Sequence, residues 1–263
     1  MRAVLNKLSK REEAKKANRP FTDEDISSAI LGLDRKGLDI PIAEIPEELG
    51  AIREFLLEVS RTGSARKSGV LSPSYISYSP CSRKDFYSLM KVKPTNFHPI
   101  DEQLLLTFDV GHFWHKYIQM HLWWAGMIDV EPDVDIPEWK IYGHADGVFK
   151  PPYKRMVLEI KTMDTNLFSR LTEPMAYHVK QATIYAKGLD AEFIVFVYID
   201  KNKGKRKMFI VPPNEDMWRE IKSYSFEVQK AKRANKAPKR VCGDEFSERA
   251  MSCPYRDHCF NIK

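Results

Sequence analysis

The sequence predicts an α/β fold in which a central mixed β-sheet is flanked by helices. Residues 157–162 and 192–199 are rich in β-branched and aliphatic side chains, which is typical of strands. Residues 101–125 form a long stretch rich in Leu, Phe, Trp and Met, which indicates a helix with an extensive apolar face. With 263 residues and a hydrophobic fraction of 43%, the chain can bury a sizeable core.

Residues 1–70 are predicted to form a helical extension that ends in a basic linker. The first twenty residues are basic and helix-prone, and Thr22 precedes three acidic residues that suit the first turn of a helix. A second helix is expected from Pro46, because an apolar stripe follows it. Residues 61–69 are small and basic, and we interpret them as a linker or a mobile loop.

Residues 71–263 are expected to form the main domain, and turn and capping signals divide it into elements. In chain order, the further predicted elements are a helix from Ser72 and Pro73, a strand at 142–149 closed by Pro151 and Pro152, a helix from Glu173 and Pro174, a strand at 208–211 that forms a hairpin with 192–199, and a helix from about Asn214. Strands alternating with helices in this way favour a mixed sheet with helices on its faces.

The strand at 157–162 carries an acid and an amine on one face, because Glu159 and Lys161 are two residues apart. Such groups are costly to bury on an apolar strand unless they pair or hold a metal. The strand at 142–149 carries a second acid, Asp146. If the two strands are neighbours, two carboxylates and an ammonium meet. This set suits phosphodiester hydrolysis assisted by Mg²⁺ or Mn²⁺, although an ion-pair network explains it as well.

The order of these residues resembles that of a known nuclease superfamily. Asp146 followed by Glu159-Ile160-Lys161 is similar to the metal-binding motif of the PD-(D/E)XK nucleases. The flanking signals are similar to its RecB-like branch, with Gly111-x-x-x-His115 before the motif and Gln181-x-x-x-Tyr185 after it. The resemblance covers about residues 72–259 and implies a restriction-endonuclease-like core.

The resemblance also implies roles for individual residues. The implied ligands of one or two Mg²⁺ or Mn²⁺ ions are His115, Asp146, Glu159 and the backbone carbonyl of Ile160. Lys161 would position or help deprotonate the attacking water, and Gln181 and Tyr185 would orient Lys161 or contact the DNA backbone. From the residues alone, His115 is also compatible with a hydrogen-bonded core histidine, and the helix of Gln181 with plain amphipathic packing.

Four cysteines suggest a second site, and in a reducing compartment they are more plausible as metal ligands or free thiols than as disulfides. They are Cys81, Cys242, Cys253 and Cys259. Four thiolates can bind a [4Fe–4S] cluster or Zn²⁺, His258 could replace one thiolate for zinc, and buried free thiols are a further alternative. The resemblance to CRISPR-associated and AddB-type iron–sulfur exonucleases favours the cluster. The ten residues between Cys242 and Cys253 depart from that pattern, in which these two cysteines are usually two residues apart.

A net charge of +6 suits an anionic partner, and the basic residues concentrate in two runs, 201–207 and 230–240. The residues expected to contact DNA are Lys201, Lys203, Lys205, Arg206, Lys232 and Arg233. Protection of a sheet edge explains the first run equally well, and simple solvation explains the second.

By resemblance, the expected function is that of a metal-dependent exonuclease acting on single-stranded DNA in recombination, repair, phage DNA processing or CRISPR adaptation. A helicase, a recombination protein or a CRISPR-adaptation protein would be its partner. The alternatives are a non-catalytic DNA-binding module of a larger complex and a structure-specific or RNA-directed endonuclease. No run of eighteen apolar residues and no signal-peptide core are present. We therefore expect no membrane span and a location in the cytoplasm of a bacterial, archaeal or phage-infected cell.

Overall fold

The computed structural model describes residues 69–96 and 102–262. The predicted extension at residues 1–70 lies almost entirely outside this part of the chain, so its helices and its boundary remain predictions. Within the described residues, the elements in chain order are α1 (Pro73–Tyr78), α2 (Ser82–Leu89), α3 (Glu102–Trp124), β1 (Ile128–Val130), β2 (Asp133–Ile136), a 3₁₀ turn (Pro137–Trp139), β3 (Ile141–His144), β4 (Gly147–Phe149), β5 (Met156–Met163), α4 (Thr165–Arg170), α5 (Ala176–Gly188), β6 (Phe193–Asp200), β7 (Arg206–Val211), α6 (Glu215–Arg233), α7 (Glu248–Met251) and α8 (Arg256–Phe260).

A five-stranded mixed sheet in the order β1-β4-β5-β6-β7 forms the centre of the fold. β5 and β6 are parallel and are connected through α4 and α5, whereas the other neighbouring pairs are antiparallel. A parallel pair needs such a crossover, because its strands cannot be joined by a tight turn. The predicted α/β class, with a central mixed sheet flanked by helices, is confirmed.

Different helices cover the two faces of this sheet. On one face, Val157 and Phe196 share a core with Ala182 of α5. On the other face, Leu158 shares a second core with Ile118 of α3. Because β5 is covered on both sides, five of its eight residues are apolar, and Glu159 is a buried acid among them.

Most of the predicted elements are present at the predicted positions. The long helix, the strand around Glu159, the hairpin of β6 and β7 and the helix after Asn214 are confirmed, and Asn214 caps α6 by accepting from the amide of Met217 at 3.0 Å. The helix expected at Pro174 begins slightly later, at Ala176. Ser72 is the N-cap residue of α1, but its side chain makes no capping hydrogen bond.

The prediction of one strand at residues 142–149 is wrong, because the structure divides this segment between two sheets. β3 pairs with β2 in a separate two-stranded sheet, and β4 joins the central sheet. The chain breaks between them, where the amide of Ala145 bonds to the carbonyl of Pro132 and the carbonyl of Asp146 accepts from Glu131, both at 3.3 Å. Three further elements, β1, β2 and α4, were not predicted from the sequence. Apolar alternation indicates a strand but carries no information about its partner.

Close packing at Gly143 brings α1 and α5 together over β3. A Cβ atom at Gly143 would lie 3.0 Å from two ring carbons of Pro73 and 3.4 Å from the ring of Tyr185. The absence of a side chain therefore lets α1 approach the strand beside α5. Among the described helices, none has both the length and the apolar character required to span a membrane.

Candidate active site

The candidate site lies where the central sheet opens between β4 and β5. β4 pairs with β5 only at Gly147 and Val148, and the chain leaves the sheet just before them. Further along β5, the amide of Ile160 donates to a carboxylate oxygen of Asp146 at 2.6 Å instead of to a neighbouring strand. Asp146 therefore continues the hydrogen bonding of the sheet edge with its side chain, and side chains from both faces of the sheet can meet there.

An ion pair between Glu159 and Lys161 occupies one face of this opening. The ammonium of Lys161 lies 2.7 Å from a carboxylate oxygen of Glu159, and Glu159 is only 2% exposed. Burial raises the pKa of Glu159 to about 7, against the opposing effect of Lys161. Burial by itself lowers the pKa of Lys161, but Glu159 and Asp146 outweigh it and raise that pKa. In this buried position, the charge on each side chain of the pair therefore depends on the opposite charge that lies beside it.

Two side chains of α3 hold Asp146 from the other face. The Nδ1 atom of His115 lies 3.1 Å from a carboxylate oxygen of Asp146. One turn later, the side-chain amide of Gln119 donates to the backbone carbonyl of Asp146 at 2.9 Å. Burial lowers the pKa of His115, but the hydrogen bond and charge of Asp146 reverse this effect and leave it raised. The histidine is therefore positioned to carry a proton beside an acid.

The contribution of Gln119 was missed by the sequence analysis, although its spacing of four residues from His115 was visible. Gln119 is 2% exposed, and its Oε1 atom has no hydrogen-bond partner among the described residues. A buried amide oxygen left in this way is costly unless a ligand satisfies it. Because the amide nitrogen of Gln119 bonds to the backbone carbonyl of Asp146, this oxygen is a further hard donor close to that residue.

Two residues of α5 extend the network behind Lys161. The side-chain oxygen of Gln181 accepts from the ammonium of Lys161 at 3.2 Å, and its amide nitrogen donates to the hydroxyl of Tyr185 at 2.9 Å. Burial raises the pKa of Tyr185 well above its ordinary value, so its phenol stays neutral. A glutamine fixed at both ends holds the ammonium in one position.

The structure thus brings the predicted catalytic and metal-ligating residues, together with Gln119, into one connected group, which we call the acidic site. Its members are His115, Gln119, Asp146, Glu159, Ile160, Lys161, Gln181 and Tyr185. The backbone of Ile160 joins its two halves, since Glu159 and Lys161 are the neighbours of that residue. Two other histidines lie outside the group: His112 is exposed beside Asp109, and His144 pairs with Asp133 at 3.1 Å.

The donor chemistry of the acidic site fits a hard divalent cation. Two carboxylates and an unpartnered amide oxygen are the oxygen ligands that Mg²⁺ and Mn²⁺ prefer. However, in the part of the chain that the structure describes, no three His, Cys, Asp or Glu side chains converge as a ligand set. A cation would therefore be held by Asp146 and Glu159, with water and substrate oxygens completing its shell, as is usual for Mg²⁺.

The four cysteines meet at a different place, around one cavity of about 330 Å³, open solvent included. All four thiols of this cysteine cavity are free. Cys81 is the N-cap residue of α2, Cys242 follows α6, and Cys253 and Cys259 belong to the segment of α7 and α8. Burial raises the pKa values of Cys253 and Cys259, and neighbouring basic side chains oppose this shift. The thiols are therefore together, but they do not converge on one point.

Hydrogen bonds to backbone atoms hold the C-terminal segment against the start of the domain. The side-chain amide of Asn96 donates to the carbonyls of Met251 and Cys253 at 2.8 and 2.9 Å. Arg249 donates to the carbonyl of Pro80 at 2.6 Å, next to Cys81. These bonds bring the cysteines together without any bond between sulfur atoms.

The basic residues expected to contact DNA lie on two separate elements. Lys201, Lys203 and Lys205 lie in the turn between β6 and β7, and Arg206 begins β7. The amide of Lys201 bonds to the carbonyl of Met163, so this turn adjoins the end of β5, which carries the acidic site. Lys232 and Arg233 are exposed in the last turn of α6. A further lysine of the first run, Lys207, instead donates to carbonyls at the end of α4.

Comparisons with known proteins give distant structural likenesses only. No protein-family model matches the chain, and no curated protein matches it. The solved structures similar to it include SSO0001, with 17% identity, a TM-score of 0.49, and coverage of 79% of this chain and 95% of that one. An alkaline exonuclease (LHK-Exo) from Laribacter hongkongensis has 12% identity, a TM-score of 0.47, and coverage of 69% and 93%. LHK-Exo in complex with dAMP has 14% identity, a TM-score of 0.47, and coverage of 64% and 90%. At these values, likeness alone decides neither family nor activity.

Proposed function

We propose that this protein is a metal-dependent deoxyribonuclease of the PD-(D/E)XK type, which hydrolyses phosphodiester bonds of single-stranded DNA from an end. The observation that carries the proposal is the meeting of Asp146, Glu159 and Lys161 at the opening between β4 and β5. Buried carboxylates beside a fixed ammonium are costly to maintain, and this combination of charges suits metal-assisted hydrolysis of a phosphodiester.

In this proposal, Asp146 and Glu159 would hold Mg²⁺ or Mn²⁺, which would supply Lewis-acid stabilisation of phosphate charge and lower the pKa of water. The ammonium of Lys161 orients the attacking water, and Gln181 keeps that ammonium in place. His115 fixes the carboxylate of Asp146 and can hold a proton at its ring. The basic turn of Lys201, Lys203, Lys205 and Arg206 adjoins the end of β5, where it would contact the DNA backbone.

We also propose that the cysteine cavity binds a [4Fe–4S] cluster or Zn²⁺ in a structural role. Free thiols from both ends of the domain meet at one cavity, and a metal bound there would join Cys81 to the C-terminal segment. Nearby basic side chains, including Arg83 and Arg240, favour thiolates. Anaerobically purified protein is expected to be brown if a cluster is present, and colourless with bound zinc if it is not.

A second candidate function is that of a non-catalytic DNA-binding module. It is favoured by the ion pair itself, because Lys161 already compensates the charge of Glu159 without a cation. If the ion pair serves only the stability of the fold, the protein would bind DNA without cleaving it. Cleavage therefore has to be measured alongside binding.

The test is a cleavage assay on single-stranded oligonucleotides labelled separately at each end, in Mg²⁺, in Mn²⁺ and in chelator. Wild-type protein is expected to shorten the strand only with metal, and Lys161→Ala and Glu159→Gln are expected to lower the rate at least ~10³-fold while binding persists. The matched control is Lys154→Ala, since Lys154 pairs with Glu192 at 3.3 Å on the surface. Cleavage near the wild-type rate in Lys161→Ala would refute the assignment.

Two further outcomes separate the alternatives. Binding without cleavage in either metal would favour the DNA-binding module. Cleavage of circular single strands would show an endonuclease, since a circle has no end, and parallel RNA substrates would show the preferred sugar. The label that disappears first gives the polarity of an exonuclease.

A further inference from the structure

Two exposed tyrosines, Tyr177 and Tyr78, lie beside the acidic site, and a third, Tyr75, follows them on the neighbouring helix. Tyr177 is on α5, one turn before Gln181, so the two side chains share a face of that helix. Burial raises the pKa of the Tyr177 phenol, and the ammonium of Lys161 acts against this shift, which places the two groups near one another. Tyr177 therefore stands at the outer end of the row that begins with buried Tyr185.

The ring of Tyr78, on α1, meets Tyr177 edge-on, with the ring centroids 5.3 Å apart and the planes at 78°. Tyr75 is one turn earlier on the same face of α1, and the ammonium of Lys84 lies 3.7 Å from its ring centroid. We call Tyr75, Tyr78 and Tyr177 the tyrosine strip. It leads outward from Lys161 across two helices, which approach each other through the packing at Gly143.

The tyrosine strip is poorly explained by packing. Tyr78 is 74% exposed, Tyr75 41% and Tyr177 36%, and none of the three rings belongs to either hydrophobic core. Exposed aromatic rings in a row, with an ammonium beside them, are how proteins bind single-stranded nucleic acid: rings stack on bases, and amines contact phosphates. The position next to Lys161 makes the strip continuous with the proposed catalytic centre.

We propose that the tyrosine strip stacks an unpaired base of the substrate strand, next to the nucleotide whose phosphate reaches the acidic site. This inference rests on the proposed nuclease function, and it explains why the enzyme would prefer single-stranded DNA to a duplex. A helical turn rises about 5.4 Å, so a base on Tyr177 belongs to a nucleotide adjoining the one at Gln181 and Lys161. A base within a duplex is already stacked and paired, and would have to be extruded first.

The test compares alanine and phenylalanine substitutions of Tyr78 and Tyr177. Removal of a stacking ring is worth about 1–3 kcal/mol per base, which is roughly a 5- to 150-fold rise in KM for single-stranded oligonucleotides at tenfold per 1.4 kcal/mol. The phenylalanine variants keep the ring and are expected to behave like the wild type, with kcat changed little in all four. Tyr153→Ala is the matched control, because Tyr153 is 46% exposed in the turn after β4.

A second readout is independent of cleavage. Oligonucleotides carrying 2-aminopurine near the end are bound in chelator, where stacking quenches the fluorescence of that base. Quenching is expected with wild-type protein and with Tyr78→Phe, but not with Tyr78→Ala or Tyr177→Ala. An abasic site at the same position is expected to raise the KM of the wild type. It should raise the KM of the alanine variants only slightly, since these variants have already lost the same contact.

The outcomes distinguish failure of the inference from failure of the proposed function. Wild-type protein that cleaves, with alanine variants of unchanged KM and unchanged quenching, overturns the stacking subsite but leaves the nuclease intact. Equal losses of affinity for blunt duplex and single strands would also overturn it. Protein that cleaves nothing but shows tyrosine-dependent quenching would overturn the nuclease and support the subsite.

Discussion

The acidic site and the cysteine cavity are both clusters of potential metal ligands, but they differ in whether those ligands have partners within the chain. In the acidic site, the charged groups have partners within the chain: Lys161 pairs with Glu159, and His115 with Asp146. In the cysteine cavity, the thiols are free and burial raises the pKa values of Cys253 and Cys259. The charges of the acidic site are paired within the chain, whereas the cysteine cavity gathers thiols whose ionisation is opposed by burial.

A metal bound at either site would therefore have a different effect on the protein. The geometry of the acidic site is held by its own hydrogen bonds, so a cation there would contribute to chemistry more than to folding. Thiols lose their protons when they bind metal, and the energy of binding is then added to the stability of the fold. Bonds from Asn96 and Arg249 bring the cysteines together, and a metal would lock an arrangement that the backbone already favours.

The largest expected effect comes from metal at the cysteine cavity. Saturation at about a thousand times Kd stabilises a folded protein by about 4 kcal/mol, which should appear as a large rise in Tm and as protection of the C-terminal segment from protease. Mg²⁺ alone should change Tm much less. The matched variant is Cys259→Ser, which should show neither the bound metal nor the shift. Equal metal content in wild type and variant would contradict the assignment of the cysteines as ligands.

The next effect is the loss of one partner of the buried ion pair. Lys161→Ala leaves Glu159 buried without its counter-charge and should lower the free energy of unfolding by about 3 kcal/mol. The double variant Glu159→Gln with Lys161→Ala should recover part of this loss, because no charge then remains unpaired. Denaturant titration measures both. Lys154→Ala should change stability by less than about 0.5 kcal/mol, since its pair with Glu192 is exposed. An equal loss in the two lysine variants would show that the buried pair is not special.

A smaller effect is expected at the bonds that hold the C-terminal segment. Asn96→Ala removes two hydrogen bonds, to the carbonyls of Met251 and Cys253, and should cost about 2 kcal/mol in metal-free protein. Limited proteolysis with mass spectrometry should show faster cutting after residue 240. Asn166→Ala, at an exposed position of α4, is the control. Unchanged cutting in Asn96→Ala would mean that other contacts hold the segment.

The smallest effect concerns acid stability. Burial, aided by the charge of Lys161, lowers the pKa of His178 to about 3. Its Nδ1 atom lies 2.9 Å from the hydroxyl of Tyr198, and that hydroxyl accepts from the amide of Met175, so it donates to a neutral His178. The unfolded chain binds this proton near pH 6.5, and the folded chain does not. Stability therefore falls as the pH drops below about 6.5.

The variant His178→Asn keeps an acceptor but does not titrate. Between pH 7 and pH 6 it should lose less stability than the wild type, by about 0.7 kcal/mol. Denaturant midpoints at the two pH values measure the difference, with His112→Asn on the exposed face of α3 as the control. Parallel pH profiles for wild type and His178→Asn would show that His178 is protonated equally in both states.

The acidic site shows which features of this protein can be predicted from the spacing of residues along the chain. The alternation around Glu159 predicted β5 and the shared face of Glu159 and Lys161, because side chains of a strand repeat every second residue. The spacing of Gln181 and Tyr185 likewise predicted that they share a helix face. The role of Gln119 was not predicted, because its partner is a backbone carbonyl that becomes available only where β3 and β4 separate.

The α/β class, the main helices and strands, and the charged residues that share a face can all be predicted from the sequence, since they follow from periods of 3.6 and 2 residues. Tertiary contacts are needed to divide residues 142–149 between two sheets, to bring α3 and α5 to the same opening from opposite faces, and to place Cys81 near the C-terminal cysteines. These contacts join segments far apart in the chain. They depend on how each buried group finds a partner, which no local pattern contains.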